Sequence, residues 1–354
     1  MRAFFFVGKN YFKYFFVIFI ALELFFIGAD SMKYADQFPE SANLIILFFV
    51  YDAMYALNYT LPLSLVLGGI VFYMTFLKSA QLSAMLALGY SKRRILTPLL
   101  VISVFFTLIY IALNATPFVY AQEKAEAIMD RNALQNAQED IFVKYNENYV
   151  YFQKVYSLLN KAENIKVFEF KDEELTSFIE AKIAFFSDDY WVLDNANLTE
   201  IKQEFIKNQD VLEVKQIPKL KILKNFRPKV LDTFSKDKPT VSIVDAIVSV
   251  RILISQKIDF EKVRAILYSF IVIPFFIPLS LMCIAYFVPS LARYSNISLL
   301  SFGFVIFSLM IWGIFFSVSK LSISGIIYPE IGILVPMGIL SVFALFSFLR
   351  INQI

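Results

Sequence analysis

The sequence predicts an α-helical membrane protein with six transmembrane helices and an inserted, extracytoplasmic all-β domain of jellyroll-like type. Three observations carry that expectation. Of 354 residues, 58% are hydrophobic and only 18% are charged; soluble globular chains run about 45–50% apolar and about 25% charged. Six apolar runs reach the roughly 20 residues needed to cross a hydrocarbon core of about 30 Å. The charges are concentrated instead in one long stretch between the third and fourth runs.

The runs are Tyr14 to Met32, Tyr59 to Leu77, Leu96 to Phe118, Ala265 to Val288, Ile297 to Val318, and Ile331 to Leu349. The first is too long for a signal h-region and no small-residue cleavage site follows it, so it reads as a retained helix. Ser41 to Asn58 mixes apolar and polar residues. It either lies in the interface or extends the second helix outward. The domains are therefore 1–118 (three helices), 119–262 (the insert) and 263–354 (three helices).

The insert holds 24 of the 30 acidic and 21 of the 33 basic residues. Short β-rich runs recur in it, at Tyr149–Tyr156, Ile165–Phe170, Phe178–Phe186, Tyr190–Leu198 and Val211–Ile217. Turn formers separate them, among them Asn160, Asp188-Asp189 and Asn195, which predicts a sandwich or jelly roll. Helical connectors are expected at Tyr120–Gln138 and Val241–Gln256.

Charge outside the insert orients the chain. Arg2, Lys9, Lys13, Lys78, Lys92, Arg93, Arg94, Arg293 and Arg350 fall at one set of helix ends, with no acidic residue among them. Asp30, Asp36, Glu40, Asp52 and Glu330 fall at the other ends. The positive-inside rule then places both termini and the short loops in the cytoplasm, and the β insert outside.

Several chemistries are excluded. The chain has no histidine and one cysteine, Cys283, which removes His-based catalysis, intrachain disulfides and Cys-rich zinc sites. There is no Lys-Ser/Thr phosphate loop, no GxSxG and no HExxH. No metal or other cofactor is expected. Glu23 is the conspicuous ionisable residue inside a span. It reads either as a functional group or as a carboxyl that is protonated or hydrogen-bonded to a neighbouring helix.

The loop between the second and third runs carries the most information. Ala80 to Leu88 has helical propensity, with Leu82, Met85 and Leu86 on one face at i, i+3, i+4. Gly89 suits a left-handed helix end, and Ser91 suits the cap of the next helix. The expectation is a short helix near 79–90 with an apolar face toward the cytosol, where it needs either headgroups or a partner's groove. A membrane-anchored sensor or scaffold with no transport activity is the competing reading of the whole chain. A lipoprotein-release permease would generally carry its large domain after the first helix, not the third.

At this loop, Gln81-Leu-Ser-Ala-Met85-Leu-Ala-Leu-Gly89-Tyr-Ser91 resembles the coupling segment of the LptF/LptG lipopolysaccharide export permeases, which reads Ser-Glu-Leu-x-x-Met-x-x-x-Gly-[hydrophobic]-[Ser/Thr]. Three further runs lean toward the LptG branch: Lys33-Tyr-Ala-Asp36-Gln37-Phe, Asn148-Tyr-Val-Tyr-Phe, and Gly325-Ile-Ile-Tyr-Pro329 through Pro336. The resemblance implies an ABC-type permease subunit in the inner membrane of a Gram-negative cell. Its implied partners are a second LptF/LptG subunit, a cytoplasmic ATPase dimer of the LptB type, LptC, the periplasmic LptA bridge, and lipopolysaccharide. It implies ATPase coupling through Gln81, Leu82, Met85, Leu86 and Gly89. It also implies lipid-phosphate contact at Lys33, with Lys320 and Arg264 as the cations able to stand in for basic residues replaced here by Pro39, Glu40 or their neighbours. The family's coupling glutamate is Gln81 in this chain, which removes a charge from the implied ATPase contact.

Overall fold

A backbone in hydrocarbon must satisfy its N–H and C=O groups internally, so each apolar run has to close into a helix. Among its described residues the computed structural model contains six helices long and apolar enough to cross a membrane. It describes residues 2–129, 137–146, 148–171, 174–201, 212–235, 240–255, 259–294 and 296–352. The chain runs through α1 (Arg2–Lys33), α2 (Ala42–Lys78), α3 (Gln81–Ala87), α4 (Lys92–Asn114) and α5 (Ala121–Met129). Then come β1 (Gln138–Tyr145), β2 (Asn148–Tyr156), β3 (Lys161–Lys171), β4 (Glu174–Ser187), β5 (Tyr190–Ile201) and β6 (Leu212–Ile222). It closes with α6 (Pro228–Ser235), α7 (Ile243–Ser255), α8 (Glu261–Ile271), α9 (Phe276–Phe287), α10 (Ile297–Ile323) and α11 (Val335–Arg350). Two compact units result: Met1–Ala125 with Arg264–Ile354, and Glu126–Val263.

In the helical unit, Ser41 to Asn58 resolves as an outward extension: Ala42 onward belongs to a single helix of 37 residues. The third span starts at Lys92 and ends at Asn114, earlier than hydropathy placed it, and Pro117–Tyr120 forms a 3-10 turn. The fourth breaks around Pro274 into α8 and α9, because proline donates no backbone hydrogen bond and crowds the preceding turn. The sixth opens with a π-helical turn at Glu330–Leu334.

The helix α2 is the axis of this unit. Its most apolar window is 78% buried, against 6% for α1 and 17% for α10. Close approach to α1 requires glycine: a Cβ at Gly68 would lie 2.7 Å from the Phe15 backbone. One turn away, Tyr11 donates its hydroxyl to the Leu65 carbonyl at 3.0 Å, which satisfies a buried phenol. Gly69 similarly makes room for the Leu281 side chain of α9.

The β unit differs in detail from its sequence reading. Helix is present at Ala121–Met129, but Gln138 opens β1, a strand missed because only Ile141 and Val143 of its residues are buried apolar side chains. Residues 130–136 of the expected connector, Val211, and Gln256 lie outside the described residues. The short helix α6 was not anticipated. All six strands are antiparallel and lie in one sheet in chain order, so each pairs with its chain neighbours. Trp191, fully buried, donates Nε1–H to the Phe226 carbonyl at 2.7 Å and packs on Phe152.

One row crosses the entire sheet without ladder pairing: Asp140, Gln153, Asn164, Lys182, Asn195 and Pro218. Asp140, Asn164 and Asn195, on alternate strands, have φ of 56°, 50° and 49°. Asn and Asp tolerate that left-handed conformation better than other side chains with a Cβ. At this crease the alternation of buried residues changes phase, from Phe152 to Val155 in β2, Ala162 to Ile165 in β3, and Leu193 to Ala196 in β5. Residues on both sides enter one hydrophobic cluster. The interrupted pairing bends the strands, as a bulge does, so that one core is kept across the row.

Leucine at position 68 should force α1 off α2 at a cost of about 1–3 kcal/mol. Thermal unfolding in detergent should therefore show a lowered midpoint for Gly68→Leu. Gly303→Leu, where a Cβ meets nothing within 4 Å, should leave it near the parent value.

Candidate functional site

The positive ends of the helices and the opposite ends of α1, α8 and α10 hold the residues singled out from sequence. At the positive end, α3 is mounted on the bundle by a defined cap. Gly89 has φ +84°. Its N–H donates to the Leu86 carbonyl at 3.0 Å, and Tyr90 N–H donates to Met85 at 3.1 Å. These are the two bonds of a Schellman motif, which needs the left-handed residue that Gly supplies. Ser91 accepts from Arg94 N–H at 3.3 Å and caps α4, as its position predicts.

The direction of the apolar face needs correction. Leu82 is 4% exposed, and Met85 and Leu86 are half-buried against the same core. The i, i+3, i+4 face is turned into the bundle and holds α3 in place. What α3 presents outward is Gln81, Ala84, Ala87 and Leu88, the last 77% exposed. The inward face wins because the bundle offers apolar neighbours at this end and water offers none. Ser83 adds a hydrogen bond to the Ser290 carbonyl at 2.9 Å, tying α3 to the segment after α9.

The basic run beside α3 does structural work that sequence reasoning missed. Lys92 Nζ donates to the Val288 carbonyl at 3.2 Å, at the C-terminal end of α9. Arg93 Nε donates to Phe348 O at 2.9 Å and its other nitrogen reaches Leu349 O, at the C-terminal end of α11. Helix C-termini present unpaired carbonyls and a partial negative charge, so cations there satisfy both. No sequence motif signals this. It follows only once α9 and α11 are known to end beside α4.

At the other end, Lys33 pairs with Asp30 one turn back, and the lysine side chain remains 68% exposed. Asp52 on α2 stands beside Asp30. Asp52 is 1% exposed, and among the described residues its Oδ2 has no partner within hydrogen-bond geometry. Glu23 accepts a 2.5 Å hydrogen bond from Thr60 of the neighbouring helix α2. Arg264 Nε lies 3.1 Å from Glu330 Oε1 and ties α8 to the turn before α11. Lys320 Nζ stands 5.6 Å from the Phe316 ring centre. The three cations grouped by sequence thus each have a contact of their own, on α1, at the turn before α11 and on α10. Asp52 and Thr60 were overlooked as partners of the α1 carboxyls; their shared tilt toward α1 had no signature beyond being polar residues in an apolar run.

This arrangement holds polar residues within and between helices and a short rigid helix between two spans. The family model described as lipopolysaccharide export system permease LptF/LptG matches residues 6–350. The chain belongs to the LptF/LptG family. That family comprises transport permeases of lipopolysaccharide export and takes in both LptF and LptG, so the assignment is to the family as a whole. No curated protein matches the chain. For this LptF/LptG member, six apolar helices and a six-stranded antiparallel domain inserted among them agree with a multi-pass membrane permease.

Replacing Arg93 with glutamine should remove a charge from the α11 C-terminus and cost about 1 kcal/mol. The expected observation is a lower unfolding midpoint for Arg93→Gln in detergent; an unchanged midpoint would mean that water caps these carbonyls equally well.

Proposed function

We propose that the chain is the membrane subunit of an ABC-type exporter that takes lipopolysaccharide from the inner membrane to a periplasmic bridge, with ATP hydrolysed by a separate cytoplasmic dimer of the LptB type. The observation that carries this reading is α3: a rigidly capped helix between two spans of an LptF/LptG family member, with Gln81, Ala84 and Leu88 directed outward. Both termini and α3 lie in the cytoplasm and the β domain in the periplasm, in accord with nine basic and no acidic residues at the α3 end of the spans. The sparse burial of α1 and α10 supports a second LptF/LptG subunit covering them, with LptC and the LptA bridge continuing the path from the β domain.

The energetics favour a conduit. Moving an acyl chain into water costs about 0.8 kcal/mol per CH₂, so a lipid with several chains would cost tens of kcal/mol if fully hydrated. That exceeds what a nucleotide cycle provides. The lipid has to pass from bilayer to apolar cavity to apolar groove without meeting bulk water, and the ATPase need only change the shape of the cavity. α3 is the lever. Its inward residues Leu82, Met85 and Leu86 transmit the movement, and its outward residues receive it. Lys33 is the first phosphate contact: the lipid phosphate competes with Asp30 for an ammonium that is already exposed.

Leu88→Asp should leave folding and insertion intact and uncouple export from ATP turnover in the reconstituted complex, because the change sits on the exposed side. Leu82→Asp should instead lower the amount of folded protein. Full export by Leu88→Asp would count against the lever.

Lys33→Glu should reduce photocrosslinking of lipopolysaccharide near the outer end of α1 several-fold, whereas Asp30→Asn should not reduce it. Equal crosslinking in Lys33→Glu and parent protein would remove Lys33 from the path. Affinity purification from a Gram-negative membrane tests the partners: a copurifying ATPase supports the exporter, and its absence supports a scaffold.

A further inference from the structure

A cavity beside α3 takes no part in the function proposed above. A cavity of about 470 Å³ opens between the start of α1, the end of α3 and the start of α4. Phe4, Phe5 and Val7 of α1 line one wall, and Met85, Tyr90 and Arg94 line the other. Its size falls within the range of about 300–1,000 Å³ that small-molecule sites occupy. Phe4 and Phe5 are 40% and 69% exposed, so the apolar wall is not consumed by internal packing.

Arg94 gives the cavity its chemical preference. Its guanidinium carbon lies 5.3 Å from the Tyr90 ring centre, which orients the group along the cavity wall. Among the described residues no carboxylate pairs with it. Among the described residues every charged side chain at this end of the spans is basic. A cation at the mouth of an apolar cavity at the membrane boundary is complementary to a molecule with an anionic head and an acyl tail.

We propose that this cavity binds one anionic glycerophospholipid of the cytoplasmic leaflet, its phosphate on Arg94 and an acyl chain against Phe4, Phe5 and Met85. The lipid then wedges α3 against α1 and sets the stiffness of the lever. The assignment to the cytoplasmic leaflet rests on the orientation proposed above; the binding itself does not. Two features fit a lipid better than a protein segment. The cavity has a mostly apolar lining with a single cation. It also lies where the spans meet the headgroups, which carry the negative charge on that side of the membrane.

The test uses the full chain in nanodiscs, where both leaflets have the same composition and orientation has no influence. Phosphatidylglycerol and phosphatidylcholine carrying a photoreactive acyl chain are crosslinked, and the labelled residues are mapped by mass spectrometry. Phosphatidylglycerol should label Phe4–Val7 and Met85. Arg94→Gln should cut that label about fivefold, the effect of one charge at an anionic surface. Arg94→Lys should retain most of it, and Arg350→Gln, which removes a cation from the same end, should leave it unchanged. Equal labelling by phosphatidylcholine would overturn the proposal, since it would mean ordinary annular contact. Insensitivity to Arg94→Gln would overturn it too. So would loss of the label on adding the cytoplasmic ATPase, which would give the cavity to a protein.

Discussion

The contact between α1 and α2 at Gly68 is the constraint on which the helical unit depends. With no side chain there, two backbones come close enough for Tyr11 to reach the Leu65 carbonyl. That contact fixes the pairing of the two helices along their length. It sets Glu23 opposite Thr60 and Asp30 beside Asp52 further out. Because α2 also receives α9 at Gly69 and leads directly into α3, a displacement at the short helix is applied to the most buried element of the unit. Interiors packed at crystal-like density shift as units and do not deform smoothly.

The positive end combines two demands in the same residues. Lys92 and Arg93 carry part of the charge on which the proposed orientation rests, and the same side chains cap the carbonyl ends of α9 and α11. The topology signal and the packing signal therefore cannot be separated by mutation at these positions. Arg94, next in sequence, faces away from those carbonyls and over Tyr90. Three adjacent cations thus serve three places because a helix turns each by about 100° from the last.

The sequence was most informative where one physical rule dominates. Six spans follow from the bilayer's thickness, and the Gly89 and Ser91 caps follow from which residues accept left-handed or cap geometry. The orientation of Leu82, Met85 and Leu86 was not readable, because periodicity finds an apolar face but not what covers it. The strand at Gln138 escaped notice because it opens on the polar run Gln138 to Asp140 and only Ile141 and Val143 are buried apolar side chains. Glu23 was found as an ionisable residue in a span, yet its acceptance of Thr60, 37 positions away, is a tertiary fact. Lys33, Arg264 and Lys320 share a charge and a depth, and only coordinates separate their acceptors.

The unpaired row across the β domain ties the strands to one another in a way their turns are not. Each strand contributes one residue to that row, and every neighbour meets it at the same level. Deleting a single residue on one strand would slide its unpaired position out of line with those on either side and turn its apolar residues toward solvent. Hairpin tips lie beyond the row and escape this demand. Divergence in this domain should accordingly be permissive in loop length and strict in the distance from each strand end to the hinge line.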